Sequence, residues 1–218
     1  MPDPFFPGLF DIEITYPYVG AQIVYDSRKD ALLGSKGLFA SLDLSGTGGF
    51  LGSDFRYTRA FGQVNLYVPI FEKSRFPLLW AQSARAGLAR SPAGESLLPD
   101  ARFFAGGEYS VRGYERDTLG PTEELGDLTS YVGGRNLLVL NEELRFPLFW
   151  RLTGVAFFDA ASVFDSSKDF STYLSKSLGL GLRAITPVGV FRLDAARPLD
   201  RRESEKAYRL YFGFGNTF

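Results

Sequence analysis

The chain has 218 residues and a formal net charge of −1, and 45% of its residues are hydrophobic and 16% aromatic. A near-neutral chain without a basic run is not expected to bind nucleic acid. It contains neither cysteine nor histidine, which excludes zinc sites of the Cys/His kind, thiol chemistry and histidine-based triads.

The composition predicts an all-β chain. The 21 phenylalanines, 11 tyrosines and 24 glycines are typical of strands and turns, and we expect one β-barrel domain over residues 1–218. No apolar run reaches the roughly 18 residues of a transmembrane helix, whereas a strand of a membrane barrel needs only about ten alternating residues. The opening MPDPFFPGLF lacks the basic and apolar regions of a secretory signal, so we expect a mature or truncated chain.

Period-two alternation predicts the strands. Before the longest loop they are Phe10–Tyr16, Val19–Asp26, Leu38–Ser45, Phe55–Val68 and Leu78–Arg90. After it they are Asn136–Phe146, Thr153–Phe164, Ser177–Ile185, Gly189–Ala196 and Ala207–Phe218. The count is therefore nine strands, or ten with Phe10–Tyr16. A barrel that closes alone needs an even number, eight or ten, whereas a piece of a larger barrel leaves its first and last strands unpaired.

Apolar rows on the last three strands predict a lipid-facing surface, because only closed sheets satisfy their backbone within hydrocarbon. The predicted lipid-facing residues are Leu178, Leu180, Leu182, Phe191, Leu193, Leu210, Phe212 and Phe214. Glu142 breaks the pattern, because it falls on an apolar face. Short turns alternate with long polar loops, as in outer-membrane barrels. A soluble β-sandwich also alternates, so the periodicity leaves that fold open.

The longest loop, residues 91–134, contains FFAGGEYSVRGYERDTLGP at Phe103–Pro121, and we call it the VRGY loop. Its glycines and Pro121 rule out a helix, while its aromatic residues do not suit disorder. Loops of this length are usually functional, and we expect this one to fold back and dock. The predicted hinge and anchor residues are Gly106, Gly107, Val111, Gly113 and Tyr114.

Several segments resemble the outer-membrane assembly-factor barrels, a family that includes the BamA- and TamA-type insertases and the two-partner secretion transporters. These segments are VRGY with its flanks, YDSRKDALLGSKG, NEELRFPLF, VAFFDAASVFD, GLGLRAITPVGVFRLDAARPL and YFGFGNTF. The resemblance implies an antiparallel transmembrane β-barrel, or the C-terminal half of a sixteen-stranded one, with the VRGY loop entering from the outer side. The family usually carries POTRA domains before the barrel, and no POTRA domain is expected here.

The resemblance also implies that Arg112 meets Glu143 and Asp159. Alternation places both carboxylates on the lumen-facing sides of adjacent strands, and a planar guanidinium can donate to both as a fork, which lysine does not match. The alternative is that both acids only line a polar lumen beside Arg145, Arg183 and Arg192. The last strand resembles the terminal strand that the family's assembly machinery reads, with its signal at Leu210, Phe212, Phe214 and Phe218.

The resemblance implies a non-enzymatic barrel that inserts or translocates proteins in the outer membrane of a Gram-negative bacterium or a derived organelle. The expected partners are the lipid bilayer, unfolded outer-membrane proteins or a periplasmic partner, and a second copy if the barrel is incomplete. No cofactor or metal ion is expected. A structural or passive pore-forming barrel and a soluble carbohydrate-binding β-sandwich remain alternatives, and a Glu–Asp pair could also serve a glycosidase.

Overall fold

The computed structural model describes residues 16–30, 36–74, 76–92, 97–125, 128–201, 206–215 and 218. Its strands are β1 Val19–Asp26, β2 Gly37–Thr47, β3 Tyr57–Ile70, β4 Leu78–Arg90, β5 Thr122–Leu125, β6 Leu128–Tyr131, β7 Asn136–Pro147, β8 Leu152–Phe164, β9 Ser175–Thr186, β10 Gly189–Pro198 and β11 Arg209–Phe214. In these described ranges, no helix is long and apolar enough to cross a membrane. The predicted strand Phe10–Tyr16 lies outside the described residues, apart from Tyr16.

Nine strands form one antiparallel sheet in the order β1-β2-β3-β4-β7-β8-β9-β10-β11. The predicted all-β antiparallel fold is therefore confirmed, and the nine strands predicted after residue 16 are the nine strands of this sheet. β1 and β11 are the two edges of this sheet, so the described strands leave it open. The β-sandwich alternative is wrong, because a sandwich needs two stacked sheets, whereas the only other sheet in the described part of the chain is the two-stranded β5–β6 hairpin.

The sheet has two chemically different faces, and we call inner the face that carries Asn141, Glu143 and Asp159. On the opposite, outer face, seven of the eight predicted lipid-facing residues are exposed. The eighth, Phe191, is half-buried because its ring packs against Phe212 and Phe214. The inner face carries buried polar side chains, among them Asn65, Ser83, Asn141, Glu143, Asp159, Ser177, Arg183 and Asp194.

Glu142, which broke the alternation, has two hydrogen-bond donors on the neighbouring strand. The indole Nε1 of Trp80 donates to its carboxylate at 2.6 Å, and the amide of Gln82 donates to the other oxygen at 3.0 Å. Gln82 lies directly opposite Glu142 in the β4–β7 register. The carboxylate therefore stays on the outer face with both oxygens hydrogen-bonded.

Phe218 departs from the predicted outer row of the last strand. β11 ends at Phe214, and Phe218 instead lies against the inner face, where the hydroxyl of Tyr67 donates to its main-chain oxygen at 2.7 Å. Its ring and that of Tyr67 are 6.3 Å apart, and the Arg145 guanidinium lies 5.7 Å from its centroid. The predicted strand continued to Phe218, whereas β11 ends at Phe214, so the sequence pattern could not locate this side chain.

A spin-label experiment tests the orientation of the sheet. The chain has no cysteine, so Leu180→Cys and Phe212→Cys each carry one nitroxide in phospholipid vesicles. Both nitroxides are expected to collide mainly with dissolved oxygen, which concentrates in lipid, because the native side chains at these positions are exposed on the apolar face. Ser41→Cys, on the inner side of β2, is the control and should collide mainly with a water-soluble nickel complex. Equal nickel accessibility at all three positions would contradict the assignment.

Candidate functional site

The VRGY loop, which lies between β4 and β7, packs its apolar side chains against the inner face. Leu97, Phe103, Val111, Tyr114 and Leu119 are all buried there, and they share one hydrophobic cluster with Ala89, Val139 and Val163 of the sheet. Isolated bridges Phe103–Gly134 and Ala105–Leu119 close the loop on itself. Burial of these anchors stabilises the docked loop, since apolar area removed from water is worth about 25 cal/mol per Å².

Three of the predicted hinge glycines have a left-handed backbone. Gly106, Gly107 and Gly113 have φ values of 109°, 89° and 101°. At Gly106 a Cβ would lie 2.2 Å from the carbonyl oxygen of Glu115. At Gly113 it would lie 3.1 Å from the nitrogen of Pro198, which belongs to the wall. The loop therefore requires glycine for both its backbone conformation and its close contacts.

Arg112 is completely buried and bonds to both predicted acids. Its Nε and Nη2 each donate to one oxygen of Asp159 at 2.8 Å, forming a bidentate pair. Its Nη1 donates to Glu143 at 2.7 Å, and its main-chain N–H donates to Asp159 at 3.1 Å. The guanidinium also lies 3.4 Å from the ring centroid of Phe157. The structure thus brings Arg112, Glu143 and Asp159 together in one place.

The ion pair belongs to a larger buried cluster. Arg145 donates from Nε to Glu143 at 2.9 Å, and Arg183 donates from Nη1 to Asp194 at 2.5 Å. Three guanidinium groups thus face three carboxylates, the third being Asp194, whose Oδ2 lies 3.4 Å from Nη1 of Arg112. Burial alone lowers the pKa of Arg112. The hydrogen bonds that Arg112 donates to Asp159, and the negative charges of Asp159, Glu143 and Asp194, outweigh the effect of burial and raise the pKa of Arg112, so the loop arginine stays charged.

Small residues make room for this cluster. A Cβ at Gly181 would lie 2.1 Å from the Asp194 carboxylate, and one at Gly213 would lie 2.6 Å from Nε of Arg192. Long charged side chains can therefore lie flat across the neighbouring strand. The alternation of glycine with arginine and aspartate is visible in the sequence, and it is the signal that could have pointed to Asp194 and Arg183 as members of the site.

Asn141 and Arg85 hold the loop backbone and were not among the predicted site residues. The amide of Asn141 donates to the carbonyl of Ser110 at 2.6 Å and to Asp159 at 2.8 Å. Arg85 donates to Asn141 and to the carbonyl of Tyr109, both at 2.6 Å. These bonds satisfy the carbonyls of two loop residues that lie three and two positions before Arg112. Alternation placed Asn141 on the lumen side, but spacing alone did not connect it to the loop.

Glu143 and Asp159 connect the strands β7 and β8 to the VRGY loop through Arg112. Both carboxylates accept hydrogen bonds from buried guanidinium groups, Asp159 from Arg112 and Glu143 from Arg112 and Arg145. Removing one partner of a buried, multiply bonded pair costs about 3–5 kcal/mol. What this arrangement can do is fix the position of the loop inside the sheet.

Asp159→Asn should loosen the loop less than loss of the arginine, because one neutral acceptor remains for the guanidinium. The double variant Asp159→Asn with Arg112→Ala should then be less than additive in free energy of unfolding, since both changes break the same contacts. Urea unfolding of the four proteins in detergent measures this coupling. Strict additivity would mean that the two residues stabilise the protein independently.

The comparisons with known proteins agree with this fold. Residues 18–218 match the model of the Omp85 superfamily domain. The outer membrane protein assembly factor BamA of Neisseria meningitidis is 30% identical over 148 residues, which cover 53% of this chain and 18% of BamA. A SAM50-like protein of Schizosaccharomyces pombe is 30% identical over 211 residues, which cover 88% of this chain and 42% of that protein.

Two solved structures have the same fold. The crystal structure of BamA from Haemophilus ducreyi lacking POTRA domains 1–3 gives a TM-score of 0.76 at 20% identity, covering 89% of this chain and 41% of that one. CdiB from Acinetobacter baumannii gives a TM-score of 0.55 at 18% identity, covering 91% of this chain and 32% of that one. The chain thus spans less than half the length of each of these relatives.

Proposed function

Because this chain belongs to the Omp85 superfamily, we propose that it forms the loop-bearing part of an outer-membrane barrel that inserts or translocates other proteins. The predicted family and the outer-membrane location are confirmed by the match over residues 18–218 and by the BamA relatives. The finer role is supported above all by one observation, the burial of Arg112 between Asp159 and Glu143 on the inner face.

The loop's role in this proposal is positional. A docked VRGY loop fills the inner face with a rigid, hydrogen-bonded plug, and the buried arginine fixes its register against β7 and β8. A passive pore does not need a fully buried cluster of paired guanidinium and carboxylate groups in its lumen. A protein-handling barrel can use it to keep the lumen closed while its sheet edges are available for pairing with a further strand.

The direction of the edge strands defines which partner can complete the sheet. In an antiparallel sheet of nine strands the first and last strands run in the same direction. β1 and β11 both run away from the end of the sheet that carries the VRGY loop and toward the end that carries the short β7–β8 and β9–β10 turns. Direct β1–β11 pairing, within one chain or between copies that cross the membrane in the same direction, would therefore be parallel. An antiparallel closure requires an odd number of additional strands between β11 and β1, which another part of the barrel or a client could supply.

An insertion assay tests the proposed function. The chain is reconstituted in phosphatidylethanolamine and phosphatidylglycerol vesicles, and a small urea-unfolded outer-membrane barrel is added as client. We expect the client to fold faster than in empty vesicles, as measured by its heat-modifiable mobility on gels. The Arg112→Ala variant should not accelerate client folding. The matched control is Arg116→Ala, an arginine in the same loop whose side chain is 88% exposed. Folding no faster than in empty vesicles would support the passive-barrel alternative instead.

A further inference from the structure

The inner row of the edge strand β11 contacts the VRGY loop directly at two of its three positions. β11 has three inward residues, Arg209, Tyr211 and Gly213, between the exposed Leu210, Phe212 and Phe214. The phenol of Tyr211 accepts a hydrogen bond from the main-chain N–H of Gly113 at 2.9 Å. The same hydroxyl donates to the carbonyl of Tyr114 at 2.9 Å. One side chain of β11 thus satisfies a main-chain donor and a main-chain acceptor in the two residues that follow Arg112.

The two flanking positions also match the loop. Arg209 donates to Glu115 at 3.0 Å, although this pair is partly exposed and contributes little by itself. Gly213 leaves space for Arg192, which donates to Glu108 at 2.7 Å and lies 4.5 Å from the ring centroid of Tyr109. Along the inner row of β11, Arg209 therefore provides a charged contact to the loop, Tyr211 provides a hydroxyl, and Gly213 leaves space for the Arg192 side chain that bonds to the loop.

β11 has few other contacts to hold it. It pairs with β10 over six residue pairs, whereas β3 and β4 pair over thirteen. Its other edge has no partner strand among the described residues. A short edge strand with one ladder opens at a low free energy, so contacts on its inner row have a large share in keeping it closed.

We propose that the docked VRGY loop clamps β11 to the sheet and that Tyr211 is the positioning residue that couples them. The proposal rests on the proposed function, for which it names the regulation: undocking the loop frees the edge strand that a partner strand would pair with. Coupling of this kind is reciprocal, so loosening β11 also loosens the loop. The coupling passes from Arg112 through the adjacent Gly113 and Tyr114 to the Tyr211 hydroxyl.

Amide hydrogen exchange in detergent or nanodiscs tests this coupling. Tyr211→Phe removes only the hydroxyl, and we expect exchange at residues 210–214 and 111–115 to rise about tenfold, the equivalent of one or two lost hydrogen bonds. Exchange in β9 should not change. Arg112→Ala, which alters no residue of β11, should raise exchange at residues 210–214 as well. Tyr208→Phe is the matched control, because that tyrosine is 68% exposed, and it should behave as the unaltered chain.

The hydrogen-exchange experiment tests the clamp and the insertion assay tests the proposed function, so each can be contradicted without the other. If Arg112→Ala opens the loop but leaves exchange in β11 unchanged, or if Tyr211→Phe equals Tyr208→Phe, the clamp does not exist. Insertion that depends on Arg112 without coupling to β11 would overturn the clamp alone, whereas coupling without insertion would overturn the proposed function alone.

Discussion

Replacing Arg112 with alanine is expected to release the VRGY loop while the nine-stranded sheet remains folded. The variant removes the Arg112 donors from the buried Asp159 and Glu143, which keep their bonds from Asn141 and Arg145. The loss costs about 3–5 kcal/mol, which the protein can reduce if the loop undocks and water reaches the two carboxylates. The strands keep their own hydrogen-bond ladders, which do not involve the loop. Limited proteolysis should then cut within the loop much faster, with strand content by circular dichroism unchanged.

Two further variants separate charge from geometry at this position. Arg112→Lys keeps the positive charge but cannot make the bidentate pair with Asp159, so we expect protease sensitivity closer to alanine than to arginine. Arg116→Ala removes an exposed arginine from the same loop and should change nothing. If Arg112→Ala leaves both the cleavage rate and client insertion unchanged, the loop is ordinary surface and the proposed function loses its support.

Gly106→Ala is expected to have an effect of similar size through the backbone. The residue has φ 109°, and the added Cβ would lie 2.2 Å from the Glu115 carbonyl oxygen, which is fixed main chain. Either the turn opens or the loop shifts, and in both cases the Arg112 contacts lose their alignment. We expect the unfolding midpoint in urea to fall and the loop to become as protease-sensitive as in Arg112→Ala.

Gly52→Ala is the control for strain without a clash. Gly52 also has a left-handed backbone, at φ 78°, but no heavy atom lies within 4 Å of the position of an added Cβ. The Gly52→Ala variant should lose only about 1–2 kcal/mol of unfolding free energy, the cost of an alanine in the left-handed conformation. Its VRGY loop should remain protected from protease. Equal effects of the two substitutions would show that Gly106 is needed for its φ alone and not for close packing.

The strand pattern was predictable because alternation is a local property. β1 and β4 begin and end at the predicted residues, and the other seven strands of the sheet are found with ends shifted by a few residues. The β5–β6 hairpin was not predicted, since TEEL and LTSY in the loop show no apolar alternation. Phe218 was placed on the outer row because the alternation was extended past the residue where β11 ends.

The site was only partly predictable, because it depends on which inward residues of different strands lie side by side, and the register between the strands decides this. Glu143 and Asp159 were named through the family resemblance, and alternation gave their face. Asp194 is 35 residues further along the chain than Asp159, and its distance to Arg112 depends on the stagger of β8, β9 and β10. Tyr211 was assigned no role for the same reason: no local pattern relates a phenol in the last strand to a glycine 98 residues earlier.

The most direct test is whether Val111, the neighbour of Arg112, is protected from solvent in the assembled protein. The chain has no cysteine, so Val111→Cys places a single thiol at a completely buried position and Tyr109→Cys places one at a position that is 53% exposed. A water-soluble maleimide should label Tyr109→Cys rapidly and Val111→Cys only after urea is added or Arg112→Ala is introduced. Labelling of Val111→Cys as fast as Tyr109→Cys, with Arg112 intact, would contradict a loop held inside the sheet by that arginine.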